Sequence, residues 1–211
     1  MRAIKSVKPL YMLCIILLFS ETVPALASAT VSPIEVIKSG TEQAMKILQQ
    51  HPAGATPNLR SRRGEILNIV NKYFDFNEMA KRALGRPWKD QPPAKQQEFV
   101  KLFQNLLFNT YVDRVEGYTS SNEKIVYQNQ QVEGSYAIVR TMVMNYQNTN
   151  VSVDYRLNLE NGQWKVYDVV IEGISLVNNY RSQFSSILSR NSFDQLLQML
   201  REKVQSQQQA S

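Results

Sequence analysis

Apolar residues recur at three- and four-residue steps through the first half of the chain and again near its end, and at two-residue steps in between. The pattern therefore predicts helices, then strands, then helices. From Pro33 to about Gln50 the apolar positions are Ile34, Ile37, Met45 and Leu48, and the stretch from Pro52 to Pro57 ends the run. A second helix is expected from about Asn58 to Tyr73, with Leu59, Ile66, Ile69, Val70 and Tyr73 inward and Arg60, Arg62 and Arg63 on a solvated basic face. Phe74-Asp-Phe-Asn-Glu-Met79 reads as the start of a short helix, Asp75 capping the Glu78 amide, Glu78 reaching back to the Asp75 amide, and Phe74 stapled on Met79. Gly85 and Pro87 should stop it. Lys81, Arg82, Arg86 and Lys89 make the following turn basic, with Trp88 beside them.

Pro92-Pro93 opens the longest helix, to about Glu116, where a proline in the first turn loses no hydrogen bond. Its stripe of Phe99, Leu102, Phe103, Leu106, Leu107, Thr110, Tyr111 and Val115 covers about one third of the circumference. At ~1.5 Å per residue the helix is roughly 35 Å long, enough to cross a sheet. After Gly117 the period falls to two. Ile125 and Tyr127 indicate a short strand, Ala137 to Met144 and Val151 to Asn158 alternate, and Asn161-Gly162 is a tight hairpin pair before the returning strand from Trp164 to Ile171. Both faces of that strand are apolar, so its inward face is open. Hairpins imply an antiparallel sheet whose apolar face helices must cover, which makes the fold class α+β. Two helices close the chain, near Ser175 to Ser189 and, capped by Ser192-Phe-Asp-Gln195, near Phe193 to Val204, before a Gln-rich end expected to fray.

The first 29 residues fit a different pattern: basic Arg2, Lys5 and Lys8, an apolar run from Leu10 to Phe19, and Ala25-Leu26-Ala27 followed by Ser28-Ala29, which supply small residues for cleavage. They read as a cleavable signal peptide, because the run is about half of the roughly twenty residues that span a bilayer. Cys14 lies inside it without the small-residue neighbours of an acylation site. Cleavage would leave a cysteine-free, exported product of about 182 residues and lower the net charge from +6 to about +4, by loss of three cations and Glu21. Nucleic acid is not an expected partner there. The basic balance points to acidic proteins or anionic lipid headgroups.

One Cys and one His in 211 residues exclude disulfide frameworks, Cys/His zinc sites and His-rich catalytic centres. His51 precedes Pro52 in a loop and is expected at the surface. Asp168 and Glu172, four residues apart at the end of the last strand, could form an acid/base pair, although carboxylates there more often cap a helix or bind an arginine. No Ser/His/Asp set, phosphate loop or metal-ligand cluster accompanies them.

Three segments carry a family resemblance: Tyr73-Phe-Asp-Phe-Asn-Glu-Met-Ala-Lys-Arg-Ala-Leu-Gly-Arg-Pro-Trp88, Phe99-Val-Lys-Leu-Phe103 leading to Tyr111, and Trp164-Lys-Val-Tyr-Asp-Val-Val-Ile-Glu-Gly-Ile-Ser-Leu-Val-Asn-Asn-Tyr-Arg181. In that order they resemble the MlaC, or toluene-tolerance Tgt2, family of periplasmic phospholipid-binding proteins. The resemblance implies an NTF2-like cone with extra helices and a lipid pocket between sheet and helices. Residues 30–211 would form the phospholipid-binding domain, with a helical half over about 33–116, a sheet over about 123–172 and closing helices over about 175–204. It further implies a monomeric, non-enzymatic periplasmic shuttle whose only bound group is its phospholipid cargo. Its implied partners are an outer-membrane lipoprotein–porin complex and an inner-membrane ABC transporter with an MCE-domain subunit, in maintenance of outer-membrane lipid asymmetry.

A soluble carrier must replace what two acyl chains gain by burial, roughly 20–25 kcal/mol at ~0.8 kcal/mol per CH₂. That requires a deep apolar cavity. The expected lining is Phe103, Leu106, Leu107, Thr110 and Tyr111 from the long helix, Val139, Val143, Val153 and Tyr155 from the sheet, and Val169, Ile171 and Ile174 near its end. Arg86 and Lys89 are the expected headgroup rim. The alternatives are a cone-shaped isomerase or hydrolase using Asp168 and Glu172, and an exported adaptor with a filled core.

Overall fold

The computed structural model describes residues 31–50, 59–116, 124–146 and 148–209. The expected signal peptide and His51 lie outside the described residues. Helices α1 (Pro33–Gln50) and α2 (Leu59–Tyr73) pack on one another. Their contact is close because position 40 is glycine: a Cβ there would stand 3.2 Å from the Tyr73 ring. The Tyr73 hydroxyl shares a hydrogen bond with Ser39 Oγ at 2.9 Å and accepts one from Gln43 Nε2 at 2.6 Å.

The basic start of α2 differs from expectation. Arg62 is only 2% exposed, its Nη2 lying 3.0 Å from Glu116 Oε1 at the far end of the longest helix. Arg63 joins the same carboxylate and also pairs with Asp113. Hydrogen bonding to Glu116 is the main reason the Arg63 guanidinium is held above its usual pKa, against the opposing effect of burial. Carboxylates some fifty residues away neutralise these cations, which local periodicity does not reveal.

Helix α3 (Phe76–Leu84) begins at Asp75, whose carboxylate accepts the Glu78 amide at 2.9 Å. The return half of the expected capping box is absent. The Asp75 amide donates instead to Val166 O at 2.9 Å, beside a bridge pairing Phe74 with Val166. Glu78 is left to accept from Arg82 Nε at 2.8 Å and Lys81 Nζ at 3.2 Å. Gly85 ends the helix at φ 73°, ψ −135°, its amide donating to Lys81 O at 3.0 Å. Side-chain-bearing residues reach that conformation only under strain, so Gly85→Ala is expected to lower the unfolding free energy by about 1–3 kcal/mol. Urea denaturation measures it, and an unchanged midpoint would exclude strain at this cap.

A 3₁₀ turn over Arg86–Asp90 leads into α4 (Pro93–Glu116). The sheet follows as an antiparallel meander, β1 (Lys124–Glu133), β2 (Tyr136–Tyr146), β3 (Thr149–Glu160), β4 (Gln163–Ile171) and β5 (Ile174–Ser175), paired in that order. The architecture is α+β, as the pattern predicts. Asn161 and Gly162 both have positive φ, 49° and 77°, and close the expected hairpin. Strand β1 outruns the short strand expected, because its second half is polar and exposed and shows no alternation. Glu172 and Gly173 form a further left-handed turn, with φ 49° and 77°, so Glu172 is exposed in a turn and not on a strand face with Asp168.

Helix α5 (Leu176–Leu188) is capped by Ser175 Oγ, which accepts the Asn178 amide at 3.0 Å. Helix α6 (Phe193–Gln209) carries the reciprocal box: the Ser192 amide donates to Gln195 Oε1 at 2.7 Å and the Gln195 amide to Ser192 Oγ at 3.2 Å. The helix does not fray after Val204. Val204 is buried, and Gln207 Nε2 donates to Thr110 Oγ1 at 2.9 Å, tying the Gln-rich end to α4.

Two apolar cores result. One joins α3, α4, α5 and α6 around stacked Phe99 and Phe103, whose edges meet Phe184 and Tyr180. The other joins α1 to the sheet through Ile37, Val139, Leu157 and Val166. Phe74 packs against both. No helix among the described residues is long and apolar enough to cross a membrane.

Candidate functional site

Between the two cores lies a cavity of about 680 Å³. Its helical wall comes from α1 (Ile37, Met45, Leu48), α2 (Ile66, Ile69, Val70), Phe76 and Met79 of α3, Leu176 of α5 and the last three turns of α4. Its sheet wall comes from Val143, Val151, Val153 and Tyr155, with Val166, Val169 and Ile171 of β4. The β4 contribution depends on a register slip: Arg156 pairs with Asp168 but Leu157 pairs with Val166, leaving Tyr167 as an extra residue. One extra residue reverses the alternation, so Val166 before it and Val169 and Ile171 after it share a face. Two-residue periodicity alone puts Val166 and Val169 on opposite faces.

Helix α4 works on two sides. Phe99, Phe103 and Leu106 point into the filled helical core, whereas Phe108, Val112 and Val115 line the cavity and Leu107 and Tyr111 meet both. Its apolar surface is thus wider than the expected one-third stripe, because a helix between two apolar compartments needs two faces.

Of the residues singled out in the sequence, Leu107, Tyr111, Val143, Val153, Tyr155, Val169 and Ile171 stand at the cavity wall. Phe103 and Leu106 are buried in the helical core, and Val139 in the sheet core. Thr110 turns away from the cavity, donating to Leu106 O at 2.6 Å and accepting from Gln207. Ile174 is 63% exposed, because β5 begins just after the outward Glu172-Gly173 turn. Arg86 and Lys89 are exposed on the 3₁₀ turn, which contributes nothing to the cavity lining. The α1 and α2 wall was legible as helix but not as wall, since apolar spacing marks a buried face without naming what it faces.

Among the described residues Arg114 is the one charged residue at this wall, 5.4 Å from the Tyr111 ring centroid. Burial pushes the Tyr111 phenol up from its ordinary pKa, with the Arg114 charge pulling the other way. A recess of about 500 Å³, with more charged residues in its lining than the cavity has, shares Thr41, Met45 and Ile125 with it. No group of three or more His, Cys, Asp or Glu able to hold a metal occurs among the described residues.

Asp168 is 2% exposed and stands outside the cavity lining. It accepts from Ser175 Oγ at 2.6 Å, from the Val177 amide at 3.0 Å and from Arg156 Nη1 at 3.0 Å. Those donors hold the start of α5 against β4. The Glu172 carboxylate accepts the Ser152 amide across the sheet.

These features define an α+β protein built around an apolar cavity, with a recess lined by charged residues beside it. Residues 38–202 match the model of the MlaC protein family, and the chain belongs to that family. It is 22% identical over 176 residues to the intermembrane phospholipid transport system binding protein MlaC of Haemophilus influenzae, covering 81% of each chain. It is 23% identical over 180 residues to the toluene tolerance protein ttg2D of Pseudomonas putida, covering 81% of this chain and 80% of that one. Among solved structures it resembles the phospholipid-binding protein of Ralstonia solanacearum in complex with a phospholipid, with TM-score 0.70 and 25% identity over 82% of this chain and 97% of that one.

Proposed function

We propose that this protein is a carrier that takes the acyl chains of a phospholipid into its cavity and moves the lipid between two membranes unaltered. The observation that carries this reading is the cavity itself, about 680 Å³ walled almost wholly by apolar side chains, with Arg114 as its one charged residue among those described. Such a space contributes affinity by removing hydrocarbon from water, about 25 cal/mol per Å² buried, and asks no chemistry of its wall. The names of its relatives support the cargo: the Haemophilus protein is named for intermembrane phospholipid transport, and the Ralstonia protein was solved with a phospholipid.

In this proposal residues 1–29 export the chain to the periplasm and residues 30–211 are the carrier. It exchanges lipid with an outer-membrane lipoprotein–porin complex and with an inner-membrane ABC transporter bearing an MCE-domain subunit, maintaining outer-membrane lipid asymmetry. It needs no cofactor beyond its cargo. Extraction of lipid from protein purified from cells, with transfer assays from labelled vesicles, tests the reading. Phospholipid should co-purify and transfer; absence of both would end it.

The enzyme alternative requires Asp168 and Glu172 to act together at a substrate, whereas one is buried under three donors and the other lies in an exposed turn. Asp168→Asn is expected to cost about 1.5–3 kcal/mol of stability, the range for hydrogen bonds to a charged group, without lowering lipid occupancy per folded molecule. Thermal unfolding and lipid extraction measure the two effects. A variant of wild-type stability that fails to carry lipid would return Asp168 to the functional site.

A further inference from the structure

We infer that the recess beside the cavity seats an anionic headgroup phosphate between Lys46 and Lys124. The inference rests on the carrier reading and names what that reading leaves open, the polar end of the cargo. The cavity wall offers a phosphate little beyond Arg114 and a few hydroxyls. Thr41, Met45 and Ile125 line both spaces and form the junction between them, and on the recess side of it the wall is Glu42, Lys46, Gln49, Lys124 and Tyr127. The first four of these are exposed. A molecule crossing that junction passes directly from apolar to hydrated, charged surroundings, the order of environments along a glycerophospholipid.

The junction is marked by a hydrogen bond between the Thr41 and Tyr127 hydroxyls. Burial pushes the Tyr127 phenol up from its ordinary pKa, so at neutral pH it adds no negative charge there. Two lysines then line the recess with one carboxylate, that of Glu42, while Glu35 lies near enough to act on Tyr127 without lining the recess. Neither lysine forms an ion pair with a carboxylate among the described residues. Both cations are therefore available to phosphate, which lysine binds as a mobile point charge. The expected rim at Arg86 and Lys89 lies on an element that lines neither space.

The test loads the protein from vesicles containing equal amounts of phosphatidylglycerol and phosphatidylcholine and weighs the extracted lipid by mass spectrometry. Wild type should enrich phosphatidylglycerol. The double variant Lys46→Gln, Lys124→Gln should lose that enrichment, by up to about fivefold per lysine as for an exposed ion pair, while still loading phosphatidylcholine. Glu42→Gln should shift selection the opposite way, which a generally damaged protein would not do. Unchanged selection in these variants overturns the inference and leaves the carrier standing, whereas a wild type that takes up neither lipid sinks the carrier and the inference together. Calorimetry with inorganic phosphate separates the remaining source: phosphate binding that depends on both lysines while lipid selection ignores them assigns the recess to free phosphate and overturns the headgroup.

Discussion

Val153→Glu is expected to empty the protein of lipid while leaving it folded. Val153 stands in the middle of the sheet wall, half-buried, and its neighbours across the cavity are apolar side chains of α1, α2 and α4. Without cargo, water entering the cavity can hydrate a carboxylate there. With cargo, acyl chains displace that water and the carboxylate must lose its hydration or its charge, a penalty of several kcal/mol that falls on the loaded state alone. At 1.4 kcal/mol per factor of ten, even about 4 kcal/mol reduces affinity by roughly three orders of magnitude. Ile174→Glu is the matched control, since 63% exposure lets its charge stay in water with or without lipid. Circular dichroism reports the fold and organic extraction the cargo. Lipid retained by a folded Val153→Glu protein would move the binding site elsewhere, and lipid lost only from Ile174→Glu would point to the open end of the sheet.

That control shows where sequence reading stops. Ile174 and Val153 look equivalent along the chain, both apolar and both in or near alternating segments, and only the turn at Glu172-Gly173 turns one of them outward. The elements themselves were legible because their signals are local: the Asp75 and Ser192 caps, the Gly85 stop, the Asn161-Gly162 hairpin and the change of period after Gly117. Features set by distant partners were not. The Asp75 amide belongs to Val166, Tyr167 is displaced from the β4 ladder by the register of β3, and Arg62 is buried by a carboxylate on another helix. The same limit divides the candidate lining. Leu107 and Tyr111 reach the cavity while Phe103 and Leu106, on the same stripe, fill the core, because side chains of α5 and α6 pack on the first part of α4 whereas its end also faces the cavity.

Removing the Glu116 carboxylate is expected to have the largest effect on stability. In Glu116→Ala, Arg62 would keep its charge at 2% exposure without the carboxylate 3.0 Å away, and breaking such a buried pair costs about 3–5 kcal/mol. For a chain of this size each kcal/mol moves Tm by about 2–4 °C, so the transition should fall by roughly ten degrees. Asp113→Ala removes a carboxylate that is 68% exposed and paired with Arg63, and should cost no more than about 1 kcal/mol. Replacing both buried partners, Arg62→Met with Glu116→Leu, should recover most of the loss, because an apolar pair of similar volume carries no stranded charge. The position of the pair extends its effect to cargo. It fastens the start of α2 to the end of α4, and Ile66, Ile69 and Val70 of α2 face the end of α4 across the cavity. Loosening that fastening while the chain is still folded should let the α2 wall move away from α4 and speed lipid exchange with vesicles, measured by fluorescence dequenching well below the lowered Tm. A Glu116→Ala protein with unshifted Tm would mean that Arg62 is held by its other contacts, and that the Glu116 pair does not fasten the cavity wall.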